Sequence, residues 1–486
     1  MAGVDTKHPD YARYAPEWAR IDDCVAGERA VKAQKTKYLP HPAFDPSQDP
    51  MASKRYDSYL ARAPFLNATG RTLQALLGVA FAKPVEVSLS GALDVLRENA
   101  DGRGLPIAQV LRGALSAALK GGRFGFLVDF SRPAKYDAEG NPVPMTAEEA
   151  AGQRVLIDLY SAREVINWRE ENGRTTLVVT QRTVEVMPDD VDDFAMHSVT
   201  EYVELRLVEG VAHCRRWIHN TGATIGAYPS GFTKTDLVPL RDRDGSPLEE
   251  LPWAWGGAFD NNASVDPAPL ADLAGLNIKH FAAEADLAEL AHVVGQPTLV
   301  VSGLTQTWVD KNLQNGIALG ATRGLPLPQD SAASLLQAED RNVCLTLCER
   351  REKQMAMIGA ALIERGSAPK TATEADYDAR TDNSALALAA GNVEAAFNKA
   401  LEIAGRFVVG EGSVMLDRTY TALNIDPQAI TALMAGVQTG VITLESFVRY
   451  LMRQGIEDDS RSVEDIMEAL RVQNEPPTGG VNDEGQ

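Results

Sequence analysis

A chain of 486 residues exceeds the usual single domain of about 150, and its 44% hydrophobic and 23% charged content excludes collagen-like and wholly disordered readings. Its 47 Lys plus Arg stand against 67 Asp plus Glu, a formal net charge of −20, which argues against a sequence-specific DNA binder drawing affinity from neutralised phosphates but leaves room for DNA that only slides past. Four scattered cysteines, Cys24, Cys214, Cys344 and Cys348, make no disulfide framework and fit synthesis in a reducing cytoplasm; no signal peptide or membrane span is expected, because no long apolar run free of charge occurs.

In chain order, a polar lead-in with Pro40, Pro42, Pro46 and Pro50 precedes a first strong helix over Thr69 to Phe81, with Thr69 as its expected N-cap and Pro84 past its end. A second helix is expected from about Leu105 to Lys120, closed by Gly121-Gly122, and a buried strand from Phe126 to Phe130 follows. Between about 154 and 240 the apolar period becomes two, with turn signals such as Asn172-Gly173, so an antiparallel sheet is expected. The acidic stretch Asp189, Asp190, Asp192 and Asp193 interrupts it and lacks the calcium-loop pattern, which makes it a solvated loop.

Leu270, Leu273, Leu276, Phe281, Leu287, Leu290 and Val294 mark a helix longer than usual. A strand (Thr298 to Ser302) and a Gly/Pro-rich segment with Trp308 follow. A second long helix spans about Ala338 to Glu364, with Val343, Leu347, Met355, Ile358, Ala361 and Leu362 as apolar positions. The pattern breaks at Arg365 to Lys370 and resumes after Thr371 or Thr373 through Phe397 and Leu401 to Gly405. Short helices are expected over Pro427 to Ala435, Thr443 to Gln454 and Val463 to Val472, capped at Thr443 and Ser462, before a disordered tail from Gln473.

No enzymatic constellation emerges. There is no Gly-Lys dipeptide for a phosphate-cradling Walker loop, no zincin helix and no Gly-x-Ser-x-Gly elbow. Cys344 and Cys348 share a helix face but lack a second zinc-spaced pair, so core packing is the expectation. His213 and His219 lie about 20 Å apart on a strand, too far to chelate one ion. Gly121, Gly122, Arg123 and Gly125 come in the order helix, turn, strand, so a helix C-cap explains them better than a phosphate site. No cofactor and no metal is expected.

The order of elements and several phrases resemble the portal proteins of tailed bacteriophages, in a portal-like branch. These are YLARAPFLNATGRTLQALLGVAFAKP (Tyr59 to Pro84), GGRFGFLVDF (Gly121 to Phe130), PLADLAGLNIKHFAAEADL (Pro269 to Leu287), GQPTLVVSG (Gly295 to Gly303), and TATEADYDA leading to NVEAAFNKALEIAG (Thr371 to Gly405). The resemblance implies an α+β, helix-rich subunit with an α/β wing, a two-helix stem, a small α/β clip and a helical crown. Residues 1–265 would be the wing, 266–293 the first stem helix, 294–337 the clip, 338–364 the second stem helix, 365–425 the tunnel loop with a long wing helix, 426–472 the crown and 473–486 a disordered tail. It further implies a non-enzymatic ring, usually a dodecamer, assembled in the host cytoplasm and placed at one capsid vertex of the virion. The partners implied are the major capsid protein, the terminase large subunit, a head–tail adaptor and double-stranded DNA passing without sequence preference.

The charge agrees with such a conduit, since twelve copies at −20 each carry about −240 formal charges that repel DNA phosphate. On this reading Arg365 and Lys370 are candidates to face the DNA tunnel, and Trp308, Lys311 and Arg323 are candidates to meet partners at the clip. A helix-terminal Arg, a solvated Lys and a core Trp are the plain alternatives for these positions. Two other functions compete: another head or head-completion protein, and a metal-dependent hydrolase using the carboxylates at 189–193 with His197.

Overall fold

The structure is a computed structural model and describes residues 3–42, 50–130, 154–186, 196–222, 230–294, 298–312, 331–336, 342–362, 384–418 and 442–453, with single positions at 47, 328, 434, 437 and 466. It divides into two units, Met1–Arg418 and Thr419–Gln486.

The first unit opens with helices. α1 (Pro9–Ala26) is capped by the ring of His8, which accepts from the Asp10 N–H, and it stops at Gly27. α2 (Glu28–Ala33) and α3 (Ala52–Arg62) follow. α4 (Ala68–Ala80) corrects the expected cap: Asn67, not Thr69, accepts from the Gly70 N–H at 2.8 Å. Thr69 lies inside the helix with its N–H and hydroxyl turned to a buried partner, Asn277, at 3.1 and 2.9 Å. Either side chain can cap, and the tertiary contact decides which one does.

After β1 (Glu86–Leu89) comes α5 (Ile107–Gly121), whose Ile107, Val110, Leu111, Ala114, Leu115 and Ala118 are all buried. It ends at Gly122 in the left-handed region, φ 69°, where a Cβ would meet the Asp266 carbonyl oxygen at 2.0 Å, so only glycine fits. β2 (Arg123–Phe130) therefore starts three residues before the expected Phe126. Arg123 is fully buried there, its guanidinium 3.7 Å from the Trp168 ring and donating to the Ala263 carbonyl at 2.8 Å.

β3 (Val155–Ser161), β4 (Val165–Glu171), β5 (Arg174–Val186), β6 (His197–Val208), β7 (Val211–Asn220), β8 (Gly231–Lys234), β9 (Val238–Pro239) and β10 (Trp253–Gly257) complete the expected antiparallel region. β4 to β8 form a meander with β9 added beside β7, and β10, β2 and β3 form a second sheet in that order. Asn172 and Gly173, at φ 52° and 74°, make the tight turn between β4 and β5.

α6 (Ala271–Val294), β11 (Thr298–Ser302), α7 (Gln306–Asn312), β12 (Ala332–Leu336) and α8 (Val343–Ala361) come next, and β11 and β12 pair antiparallel. α9 (Ala385–Phe407) is capped by Ser384, and β13 (Gly412–Met415) pairs with β1. α9 lies over the β10–β2–β3 sheet, with Phe397 edge-on to Phe126 at 5.2 Å between ring centroids. In the second unit α10 (Leu444–Arg453) follows Thr443, whose hydroxyl accepts from the Ser446 N–H, so the expected cap is in place. The molecule is thus α+β. The acidic stretch at 189–193, the expected helices at 427–435 and 463–472 apart from Met434 and Ile466, residues 371–383 and the tail from 473 lie outside the described residues.

Candidate functional site

The long helix α6 is anchored along its first two thirds. Asn277, fully buried, accepts both Thr69 hydrogen bonds and donates to the Leu66 carbonyl at 2.8 Å. Phe281 and Ala285 enter a cluster with Val31, Tyr38, Leu39, Tyr56, Tyr59 and Ala63. The Tyr59 hydroxyl donates to Asp286 at 2.7 Å, and Arg62 pairs with Glu289. Among these groups the Tyr59 hydroxyl is held well above its ordinary range, by burial first and then by its bond to Asp286.

α8 returns antiparallel along α6. The Arg351 guanidinium donates to the Lys279 carbonyl, Glu352 meets His280, and the later residues Met357 and Ile358 share a cleft with Asp272 and Leu276. α8 itself is poorly covered. Of its 19 residues only Cys348 and Met355 are buried, whereas Val343 is 68% and Met357 71% exposed, with Leu345 and Leu347 exposed as well. The expected apolar face of this helix is corrected on that point: Val343 and Leu347 point outward, because the surface that α6 offers takes only the Cys348–Met355 side.

Where the two helices touch, His280, Glu284 and Cys348 converge, with one potential ligand atom from each lying within 4.8 Å of the others. His280 is 1% exposed, and neither of its ring nitrogens has a hydrogen bond. Its Nε2 is 3.5 Å from a carboxylate oxygen of Glu284 and 3.5 Å from one of Glu352. Burial, then the hydrogen bond to Glu284 and that carboxylate's charge, push the Cys348 thiol up to about 12. Cys344 is only half-buried and is not part of this group, so the pair that matters runs between helices and not along one. The signal was present as His-x-x-x-Glu on α6, one helical turn apart, but its thiol partner comes from a distant part of the chain.

Of the residues singled out from the sequence, Trp308 and Lys311 sit on α7, half-buried and exposed respectively and one turn apart, between the paired strands β11 and β12. Arg323, Arg365 and Lys370 lie outside the described residues. His213 approaches the Val211 carbonyl at 3.0 Å, while His219 stacks on Phe232 at 3.9 Å, so the two do not converge. His197 opens β6. No helix among the described residues is long and apolar enough to cross a membrane.

Residues 269–408, from just before α6 to just after α9, match a family described as Domain of unknown function (DUF4055). No curated protein matches the chain. Among solved structures it is similar to chains in the virion of a native gene transfer agent particle, at 13% identity and TM-score 0.36, and in the neck of an empty such particle with C6 symmetry, at 14% and 0.36. A chain in the neck of the native particle with C12 symmetry gives 13% and 0.35. Each covers 82% of this chain and 93% of its own. At such scores the likeness assigns neither fold nor role.

Proposed function

We propose that the chain is a ring-forming portal subunit of a phage-like particle, a conduit for double-stranded DNA without catalysis of its own. The observation that carries this reading is the helical hairpin of α6 and α8. Apolar residues on α8 face outward in the single chain, and a second copy is the surface that would cover all subunits alike, as heterologous contacts around a closed ring do.

In this reading α6 and α8 are the stem. At about 1.5 Å per residue, α6 spans about 36 Å, and the β11–α7–β12 excursion beyond it is the clip, offering Trp308, Lys311 and Arg323 to the terminase large subunit and to a head–tail adaptor. Residues 1–265 with α9 supply the wing against the major capsid protein, residues 426–472 supply the crown, and Arg365 and Lys370 border the DNA tunnel. The net charge of −20 per chain keeps DNA from adhering as it passes.

Negative-stain imaging of the purified chain tests this directly. Closed rings with a central hole are expected, and compact single particles persisting at high concentration would count against it. In a packaging system, Lys370→Glu is expected to leave rings intact and lower the DNA packaged or retained; loss of rings in that variant would refute the tunnel placement.

A further inference from the structure

We propose that His280, Glu284 and Cys348 bind a zinc-class divalent cation that locks α6 to α8, with Glu352 filling the fourth position.

The geometry is that of a loosened tetrahedral site. Zinc bonds of about 2.0–2.3 Å place neighbouring ligand atoms about 3.3–3.7 Å apart. The two carboxylate oxygens already lie 3.5 Å from His280 Nε2, and the three-residue group falls within 4.8 Å. Drawing the widest pair of these three in by about 1 Å closes the three-residue set, and Glu352, 3.5 Å from Nε2 but outside that 4.8 Å group and half-exposed, reaches the fourth position by a larger swing of its side chain. His280 and Glu284 are one turn apart on a single helix, and the buried Cys348 brings its thiol to them from α8.

The polar state of the site asks for an ion. A histidine that is 1% exposed with both ring nitrogens lacking hydrogen bonds is a costly arrangement, and a cation on Nε2 gives that nitrogen a partner and neutralises the adjoining carboxylates, while Nδ1 keeps the ring proton. The donor set of imidazole, thiolate and carboxylate suits Zn²⁺ and its spectroscopic surrogate Co²⁺, whereas Mg²⁺ and Ca²⁺ take oxygen ligands alone. As the metal–sulfur bond forms, the Cys348 thiol proton leaves to solvent. Within the described residues this is the one group of His, Cys and acidic side chains close enough to share an ion. The site lies inside a single chain, so it stands or falls separately from the ring.

The test is titration of the chelator-stripped, folded full-length chain with Co²⁺, read per chain whatever its oligomeric state. Binding of about one ion is expected, with a thiolate-to-cobalt charge-transfer band and tetrahedral visible bands that equimolar Zn²⁺ abolishes. Cys348→Ser should lose the charge-transfer band, His280→Gln should weaken binding by about tenfold or more, and Cys344→Ser should behave as the parent. A folded parent chain that shows no such band at excess Co²⁺ overturns the proposal, and so does a Cys348→Ser chain that keeps it. Because the parent titration decides by itself, poor folding of a variant does not leave the question open.

Discussion

α8 and α9 are helices of 19 and 23 residues in the same unit, and they use their apolar residues in opposite ways. On α9, Leu386, Ala389, Val393, Ala396, Phe397, Ala400, Leu401 and Ala404 are buried against the chain's own sheet and neighbouring helices. On α8, only Cys348 and Met355 are buried, and Val343, Leu345, Leu347 and Met357 meet solvent in the single chain. The first helix completes a core that one chain can close. α8 instead leaves apolar residues exposed in the single chain, which under the portal proposal is the face that a further copy covers.

The sharpest test of the closed half is Phe397→Ala. Removing a fully buried ring that packs on Phe126 is expected to cost about 3–5 kcal/mol in chemical or thermal unfolding. A loss below about 1 kcal/mol would show that α9 is not the lid of the core. Next, Asn277→Ala leaves the Thr69 N–H and hydroxyl and the Leu66 carbonyl without their buried partner, an expected loss of about 2–3 kcal/mol that frees the root of α6.

Asp101 gives a smaller effect with a distinctive pH dependence. Burial alone would raise its pKa, but hydrogen bonds from the Arg103 and Leu105 N–H groups and from the Arg103 guanidinium outweigh that and hold it below the ordinary value. A depressed folded-state pKa contributes stability that is fully present above the unfolded value of about 3.9 and is lost as pH falls through the folded one. The stability difference between the parent and Asp101→Ala should therefore be about 1–2 kcal/mol and flat near neutrality, then shrink in acid. A difference that grew in acid would contradict the assignment. Smallest of all, Met357→Ser should alter unfolding of the single chain by less than about 0.5 kcal/mol, since the side chain is 71% exposed, while weakening self-association.

Much of the body was legible in the sequence because its elements carry their own period. α5 and α9 have apolar spacing of 3.6, α6 is apolar on all sides and is marked by its length and not by a face, and the Asn172-Gly173 turn announces the β4–β5 hairpin. Local competition hid other details. Thr69 and Asn67 are both competent caps, and only the buried partner Asn277 tells them apart. Arg123 is a charged residue at the head of a strand, and its burial depends on Trp168 and Trp255, which lie far along the chain. For α8 the apolar positions were visible but not their direction, because periodicity marks which residues avoid water and not which surface receives them. The His280 group was missed for the same reason: its members are assembled by the antiparallel packing of two helices, and a search for paired spacings along the chain does not cross between them.

In the proposed ring, further copies of the chain cover the outward apolar residues of α8. The most direct test is the native mass of the parent protein beside a Val343→Glu, Met357→Glu double variant, with circular dichroism to establish that both are folded. Closed rings of about twelve copies of the 52.4 kDa chain, about 630 kDa, are expected for the parent, and 52.4 kDa for the variant. A parent that stays at 52.4 kDa at high concentration, or a variant that assembles as the parent does, would contradict the account.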